Sequence, residues 1–177
     1  MHLLLKLACM SKLTVYILTG LPYSGKTTLI RELVKRFGFK VASMDEIMNE
    51  KHMDPDTMSM DDWGKVYSEG YNRLKKYLSE GYSAVLDCGN LKRNERETPK
   101  QIAESLGANW RLIYLNISKE EAKERWMKNH STKERDELTD QTMNAALDMF
   151  VEPTPDEGAI IYNQQMDLDQ WIKENID

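Results

Sequence analysis

The octapeptide GLPYSGKT, residues 20–27, gathers residue types that do little for a plain strand-to-helix turn and much for binding an anion. Gly20 and Gly25 let the backbone wrap tightly, so that consecutive amide N–H groups converge on a chain of phosphates with no side chain in the way. Lys26 adds an ammonium within reach of the outer phosphates, and Thr27 adds a hydroxyl suited to a divalent cation. Ser24 and Thr28 complete the donor set. Two aspartates stand at comparable places further along. Asp45 follows the apolar start of VASMDEI, where it can accept or orient a hydroxyl proton. Asp87 closes the apolar run of YSAVLDCGN, where it can meet a metal through water. Each has a plainer alternative: Asp45 as N-cap of a helix beginning at Glu46, and Asp87 as a turn residue.

Such chemistry needs a rigid frame. Apolar, β-branched runs at 13–19, 40–43, 82–86, 110–117 and 159–162 alternate with helical periodicity. Leu29, Ile30, Leu33, Val34 and Phe37 share one helix face, as do Trp63, Val66, Tyr67, Tyr71, Leu74 and Leu78. Further helices are expected at about 94–106, 119–128, 139–150 and 167–175. The alternation predicts an α/β chain: a three-layer fold with a mostly five-stranded parallel sheet between helices, and ligands at the carboxyl ends of the strands. With an apolar strand before it and an amphipathic helix after it, GLPYSGKT reads as a P-loop, the G-x-x-x-x-G-K-[ST] nucleotide-binding turn. Segments 49–61 and 129–139 lack clean periodicity. The first reads as a loop over the substrate side, and the second as most of a small lid at about 126–139; both also suit surface loops without a role.

The 177 residues fit one domain, 1–177, with about 1–12 as an N-terminal extension and either Met1 or Met10 as its start. At 30% charged and 41% hydrophobic residues, neither a disordered nor a membrane composition is indicated. A net charge of −5, with no basic run longer than a pair such as Lys35-Arg36, argues against long duplex nucleic acid. Nucleotides or a single nucleic-acid end remain compatible, because a local basic pocket can sit on an acidic protein. Cys9 and Cys88 form no CxxC pattern and read as reduced thiols of a cytoplasmic protein. Lys6 interrupts the N-terminal apolar patch, which is too short for a signal peptide or membrane span. His2, His52 and His130 are too scattered for a metal cluster, and the methionines at 44, 48, 53, 58 and 60 read as adaptable packing.

A triphosphate site serves a switch, a motor or a phosphotransferase. No NKxD occurs to read guanine, and the D-x-x-G at Asp61 to Gly64 follows a polar loop where a switch needs a strand. A motor needs more chain. A small kinase needs a carboxylate by the acceptor hydroxyl and mobile cations for the transferred phosphoryl, and candidates for both are present.

The sequence resembles the small P-loop kinases related to the kinase domain of polynucleotide kinase, a group that also holds zeta-toxin-like and chloramphenicol-phosphotransferase-like proteins with an AAA-type ATP-binding fold. The likeness rests on GLPYSGKTT, SMDEI, VLDCGNLKRNERE, YLNISKEEAKERW and MFVEPTPDEG, from about residue 13 to 163. It implies an ATP- and Mg²⁺-dependent kinase with Lys26 and Thr27 at phosphates and metal, Asp45 on the acceptor side and Asp87 near the metal. It also implies Asn90 and Arg96 beside the acceptor pocket, and Arg125 at the base of the lid. Arg125 equally suits an i,i+4 partner of Glu121. Cys88 and Gly89 depart from the family's small residue and threonine. Asn129 stands where a second lid arginine is common, leaving Lys128, Lys133 or Arg135 as substitutes. Acceptors that suit this layout are a small hydroxyl-bearing metabolite, ranked first, a nucleotide, or a nucleic-acid end, with no membrane partner. The competing class is an ATP-binding regulator with little or no transferase activity.

Overall fold

The computed structural model describes residues 12–134 and 138–176. The expected N-terminal extension, Lys12 apart, together with Cys9 and the lid candidate Arg135, lies outside them. Five parallel strands form one sheet in the order β2-β3-β1-β4-β5: β1 Thr14–Thr19, β2 Lys40–Ser43, β3 Ala84–Asp87, β4 Asn109–Leu115 and β5 Ile160–Tyr162. Among the described residues seven α-helices connect and extend them: α1 Lys26–Phe37, α2 Met44–Glu50, α3 Met60–Ser79, α4 Arg93–Ser105, α5 Lys119–Thr132, α6 Asp140–Met149 and α7 Leu168–Asn175.

Every residue of β1 is buried, as an unbroken TVYILT run requires at the centre of a sheet covered on both faces. Side chains alternate along it. Val15 and Ile17 join Ala42, Leu86 and Leu112 in a core sealed by α2, α3 and α4. Tyr16 and Leu18 join Val85 and Ile113 in a second core sealed by α1 and α7. Full burial of side chains of this size stabilises by roughly 1.5–3 kcal/mol each, which is what fixes the three layers. A third, smaller core packs Leu21 and Tyr23 against Ile117 and Ala122 near the start of α5 and Met143 and Leu147 of α6. No helix among the described residues is long and apolar enough to cross a membrane.

Element boundaries differ from expectation where local hydrogen bonding competes with the apolar pattern. The third strand begins at Ala84, because Tyr82 lies at the surface beneath the Lys40 ammonium, 4.7 Å from its ring centre. Ser43, not Asp45, caps α2, accepting from the Glu46 amide at 3.3 Å, so Asp45 sits in the first turn of that helix. The D-x-x-G at Asp61 to Gly64 lies within α3. Helix α5 continues through Thr132, and Trp126 Nε1 donates to the Leu138 carbonyl at 3.0 Å, so the expected lid starts as helix. Of the methionines read as packing, Met44 and Met48 are in the core, whereas Met60 is 88% exposed.

Two residues expected beside a substrate, Asn90 and Arg96, make buried contacts within the fold. Asn90 is fully buried with φ +46°; its Nδ2 donates to the Leu18 carbonyl at 2.7 Å, and its Oδ1 accepts from Cys88 Sγ at 2.9 Å. Its own carbonyl accepts from Thr19 Oγ1 at 2.8 Å, so the turn after β3 is stitched to the end of β1. Arg96 is also fully buried. Its Nε and Nη2 hold Glu157 at 2.7 and 2.8 Å, and its Nη1 reaches the carbonyls of Asn90, Leu91 and Val151. A charge on the Arg96 side chain with no solvent contact must be paired, and Glu157 pairs it. The EPTPDEG segment thereby gains a mechanical role: Glu157 clamps Arg96, and Asp156 with Thr154 takes Arg93.

Arg96 holds the Glu157 carboxyl below its ordinary value, outweighing the opposing effect of burial. A depressed folded-state pKa makes this stabilisation fully present above the carboxyl's unfolded value and lost as pH falls through the folded one. Glu157→Gln is expected to cost about 3–5 kcal/mol at neutral pH. Urea denaturation should show that deficit shrinking below about pH 4, where the wild-type carboxyl also protonates.

Candidate functional site

At the carboxyl end of β1 the chain leaves the sheet through residues 20–25 and enters α1 at Lys26. The loop needs left-handed backbone at three places: φ is +149° at Gly20, +64° at Tyr23 and +102° at Gly25. A Cβ on Gly20 would stand 2.7 Å from the Leu115 carbonyl oxygen, so no larger residue fits there. Tyr23 pays the cost of positive φ because its ring is buried in the third core. Gly25 serves as N-cap without a side-chain hydrogen bond, which leaves the first-turn amides of α1 directed outward at the positive end of the helix dipole.

The side chains around this loop suit an anion. Lys26 Nζ donates to the carbonyls of Gly20 at 2.8 Å and Leu21 at 2.9 Å, which holds its charge against the loop. Ser24 is 2% exposed, and its Oγ has no hydrogen-bond partner, an orphaned donor inside the glycine-lysine turn. Thr27 and Thr28 are exposed on the first turn of α1. Gln164, in the turn after β5, donates its Nε2 to the Ser24 carbonyl at 3.4 Å and shields Gly25.

A cleft of about 950 Å³ opens beside the loop, large enough for a nucleotide and a small partner together. Of the residues singled out in the sequence, Gly25, Thr27, Thr28, Asp45 and Arg125 line it. Gly20, Ser24 and Lys26 form the loop behind that lining. Asp87 is half-buried and does not line the cleft. It pairs in register with Ser43, and strand alternation puts its side chain on the same face as Val85, the face that α1 covers. Among the described residues no group of three or more His, Cys, Asp or Glu is gathered to hold a metal by itself.

Arg125 makes two contacts. Its Nη2 pairs with Glu121 one turn earlier at 2.5 Å, while its Nη1 donates to the Tyr23 carbonyl of the loop at 3.1 Å. Of the substitutes for the missing lid arginine, Lys128 lines the cleft and Lys133 caps α5 with φ +48°. Asn129, at the position in question, is buried and also lines the cleft. Sequence reasoning set segment 49–61 over the substrate side without singling out Asp54 or Asp56, which line the cleft, and it missed Arg31 and Gln164. Arg31 was legible in principle, since it follows Thr27 by four residues on a helix. Gln164 carried no signal.

The profile of a family described as AAA domain matches residues 15–153. No curated protein matches by sequence. Among solved structures, Kti12 from Chaetomium thermophilum, crystallised with ADP-AlF3, superposes with a TM-score of 0.69 at 18% identity, covering 90% of this chain and 94% of that one. A gluconokinase from Sinorhizobium meliloti 1021 gives 0.62 at 16% identity, covering 93% and 90%. A chain of the Pnkp1/Rnl/Hen1 RNA repair complex gives 0.67 at 15% identity, covering 81% of this chain and 46% of that one. At these identities the likeness concerns the fold, and it matches the kinase group that the sequence resembles. With a family match across most of its length and a parallel sheet ending in a glycine-lysine turn, the chain belongs to the AAA-domain family of P-loop proteins.

Proposed function

We propose that this protein is an ATP-dependent kinase that transfers the γ-phosphoryl group to the hydroxyl of a small acceptor. The observation that carries the reading is that Asp45, the exposed first turn of α1 and Arg125 open onto one cleft, so a carboxylate, a phosphate cradle and a cation share a single volume. In this reading the amides of residues 20–27 and the Lys26 ammonium hold the β and γ phosphates, with Ser24 Oγ as a further donor. Magnesium, when bound, neutralises charge on the phosphates. Thr27 would hold it directly and Asp87 through water, a share of ligands consistent with a metal that keeps phosphate and water for the rest. Asp45 orients the acceptor hydroxyl and takes its proton as the acceptor oxygen bonds to phosphorus. The bond to the bridging oxygen breaks, and ADP departs with that electron pair. Arg125 donates to the Tyr23 carbonyl of the loop, a contact that supports a role for its guanidinium in stabilising the transferred group.

A second reading has one observation in its favour. Asn129 occupies the lid position where a further cation would stabilise transfer, which suits an ATP-binding regulator with little or no transferase activity.

Three variants separate the roles. Lys26→Ala should lower phosphoryl transfer by about 10²–10³-fold, measured as ADP release in the presence of acceptor. Asp45→Asn should leave calorimetric ATP affinity intact and slow transfer by about 10²–10⁴-fold; unchanged transfer to an identified acceptor would remove Asp45 from the mechanism. Gly20→Ala should weaken ATP binding and cost about 1–3 kcal/mol in chemical denaturation, from backbone strain and the Leu115 carbonyl.

A further inference from the structure

The kinase reading leaves open which alcohols the cleft admits, and the charges on its walls bear on that question. They are divided by element. Among the described residues, the cations that line the cleft, Arg31, Arg125 and Lys128, come from α1 and α5. Arg125 is bonded to the loop itself, so this side of the cleft belongs to the phosphates. The wall that follows β2 is acidic: Asp45 on α2, then Asp54 and Asp56 in the turn beyond it. Lys51, the one lysine of that stretch, does not line the cleft. Glu134, beyond α5, adds a fourth carboxylate to the lining.

A separate feature bounds the acceptor side in space. Asp56 Oδ1 accepts from Thr142 Oγ1 at 2.6 Å and from Thr139 Oγ1 at 3.3 Å. This bond joins the turn after α2 to the start of α6, two walls of the same cleft. The turn is set from within, since Asp54 Oδ1 accepts from the Asp56 amide at 3.0 Å and Pro55 fixes the backbone between them. The bridge ties these two walls together and narrows the cleft on its acceptor side, which favours a small acceptor over the end of a polymer.

Resting on the kinase reading, we propose that the acceptor is a small polyhydroxylated molecule that is neutral or carries an amine. In this proposal Asp54 and Asp56 reject alcohols that bear phosphate or carboxylate. Hydroxyl and ammonium groups donate charge-assisted hydrogen bonds to carboxylates, whereas an anionic acceptor would lose its hydration against like charge. Selection then comes as much from repulsion as from attraction. Met48, Met53 and Leu138 supply apolar surface for the carbon skeleton.

The test is transfer of label from γ-³²P-ATP with magnesium by the full chain. The acceptors are a library of neutral and aminated polyols, including glycerol, glucose and glucosamine, set against gluconate, sugar phosphates and a 5′-hydroxyl oligonucleotide. The expected result is label on neutral or aminated acceptors at least about tenfold above every anionic one. In Asp54→Lys the ratio of anionic to neutral rates should rise by about tenfold, of the order expected for reversing one nearby partly screened charge. The ratio is unaffected by any loss of folded protein. Equal or preferred labelling of the anionic set, or an unchanged ratio in Asp54→Lys, would overturn this proposal while leaving the kinase reading in place. No label on any acceptor by protein that binds ATP would overturn the kinase reading and this proposal with it.

Discussion

A loop can present several backbone amides to one anion only if it bends against the steric preference of ordinary residues and is then held in that bend. In this molecule the bend is made by positive φ at Gly20, Tyr23 and Gly25, and each is held from a different direction. Gly20 lies against the Leu115 carbonyl of β4, Tyr23 is buried beneath α5 and α6, and Gly25 is screened by Gln164 after β5. The strands on one side of β1 and helices α5 and α6 therefore meet at one six-residue turn. Its position at the sheet centre follows from β1 being flanked by β3 and β4, where crossovers leave in opposite directions and a crevice forms.

The third core gives this arrangement a mechanical consequence. Leu21 and Tyr23 belong to the loop, yet their side chains pack with Met143 and Leu147 of α6 and Ala122 of α5. Arg125 adds a polar link to the same residue, through the Tyr23 carbonyl. Displacement of the α5-α6 arm is thus felt by the loop through close-packed contacts, which transmit strain better than a flexible tether. On the opposite flank, Asn90 and the Arg96-Glu157 pair fasten the segments after β3 and before β5 to the sheet. These bonds keep the crevice walls in register.

The fold was largely legible in the sequence because the sheet is parallel and buried on both faces. That arrangement leaves long apolar runs, and TVYILT and NWRLIYL are hard to mistake. The glycine-lysine turn was legible because its geometry demands particular residue types. The burial of Asn90 and Arg96 was not: a polar residue in a charged stretch such as NLKRNERE looks the same whether it faces solvent, substrate or a buried carboxylate. Only Glu157, 61 residues away, decides the matter for Arg96, and a contact at that separation leaves no local pattern. The same limit hid Asp56 as a bridge to α6, with partners 83 and 86 residues distant. Arg125 was read both as a helix ion pair and as a lid cation, and the fold lets one guanidinium make both the Glu121 pair and the loop contact.

The central claim is that the amides of the turn between β1 and α1 are the groups that hold the phosphates. Hydrogen-deuterium exchange of the full chain, with and without excess ATP and magnesium, addresses those amides directly. The account predicts slowed exchange concentrated in residues 20–28, with adenosine alone giving no such protection there. Unchanged exchange across that segment in folded protein with ATP and magnesium in excess would contradict it.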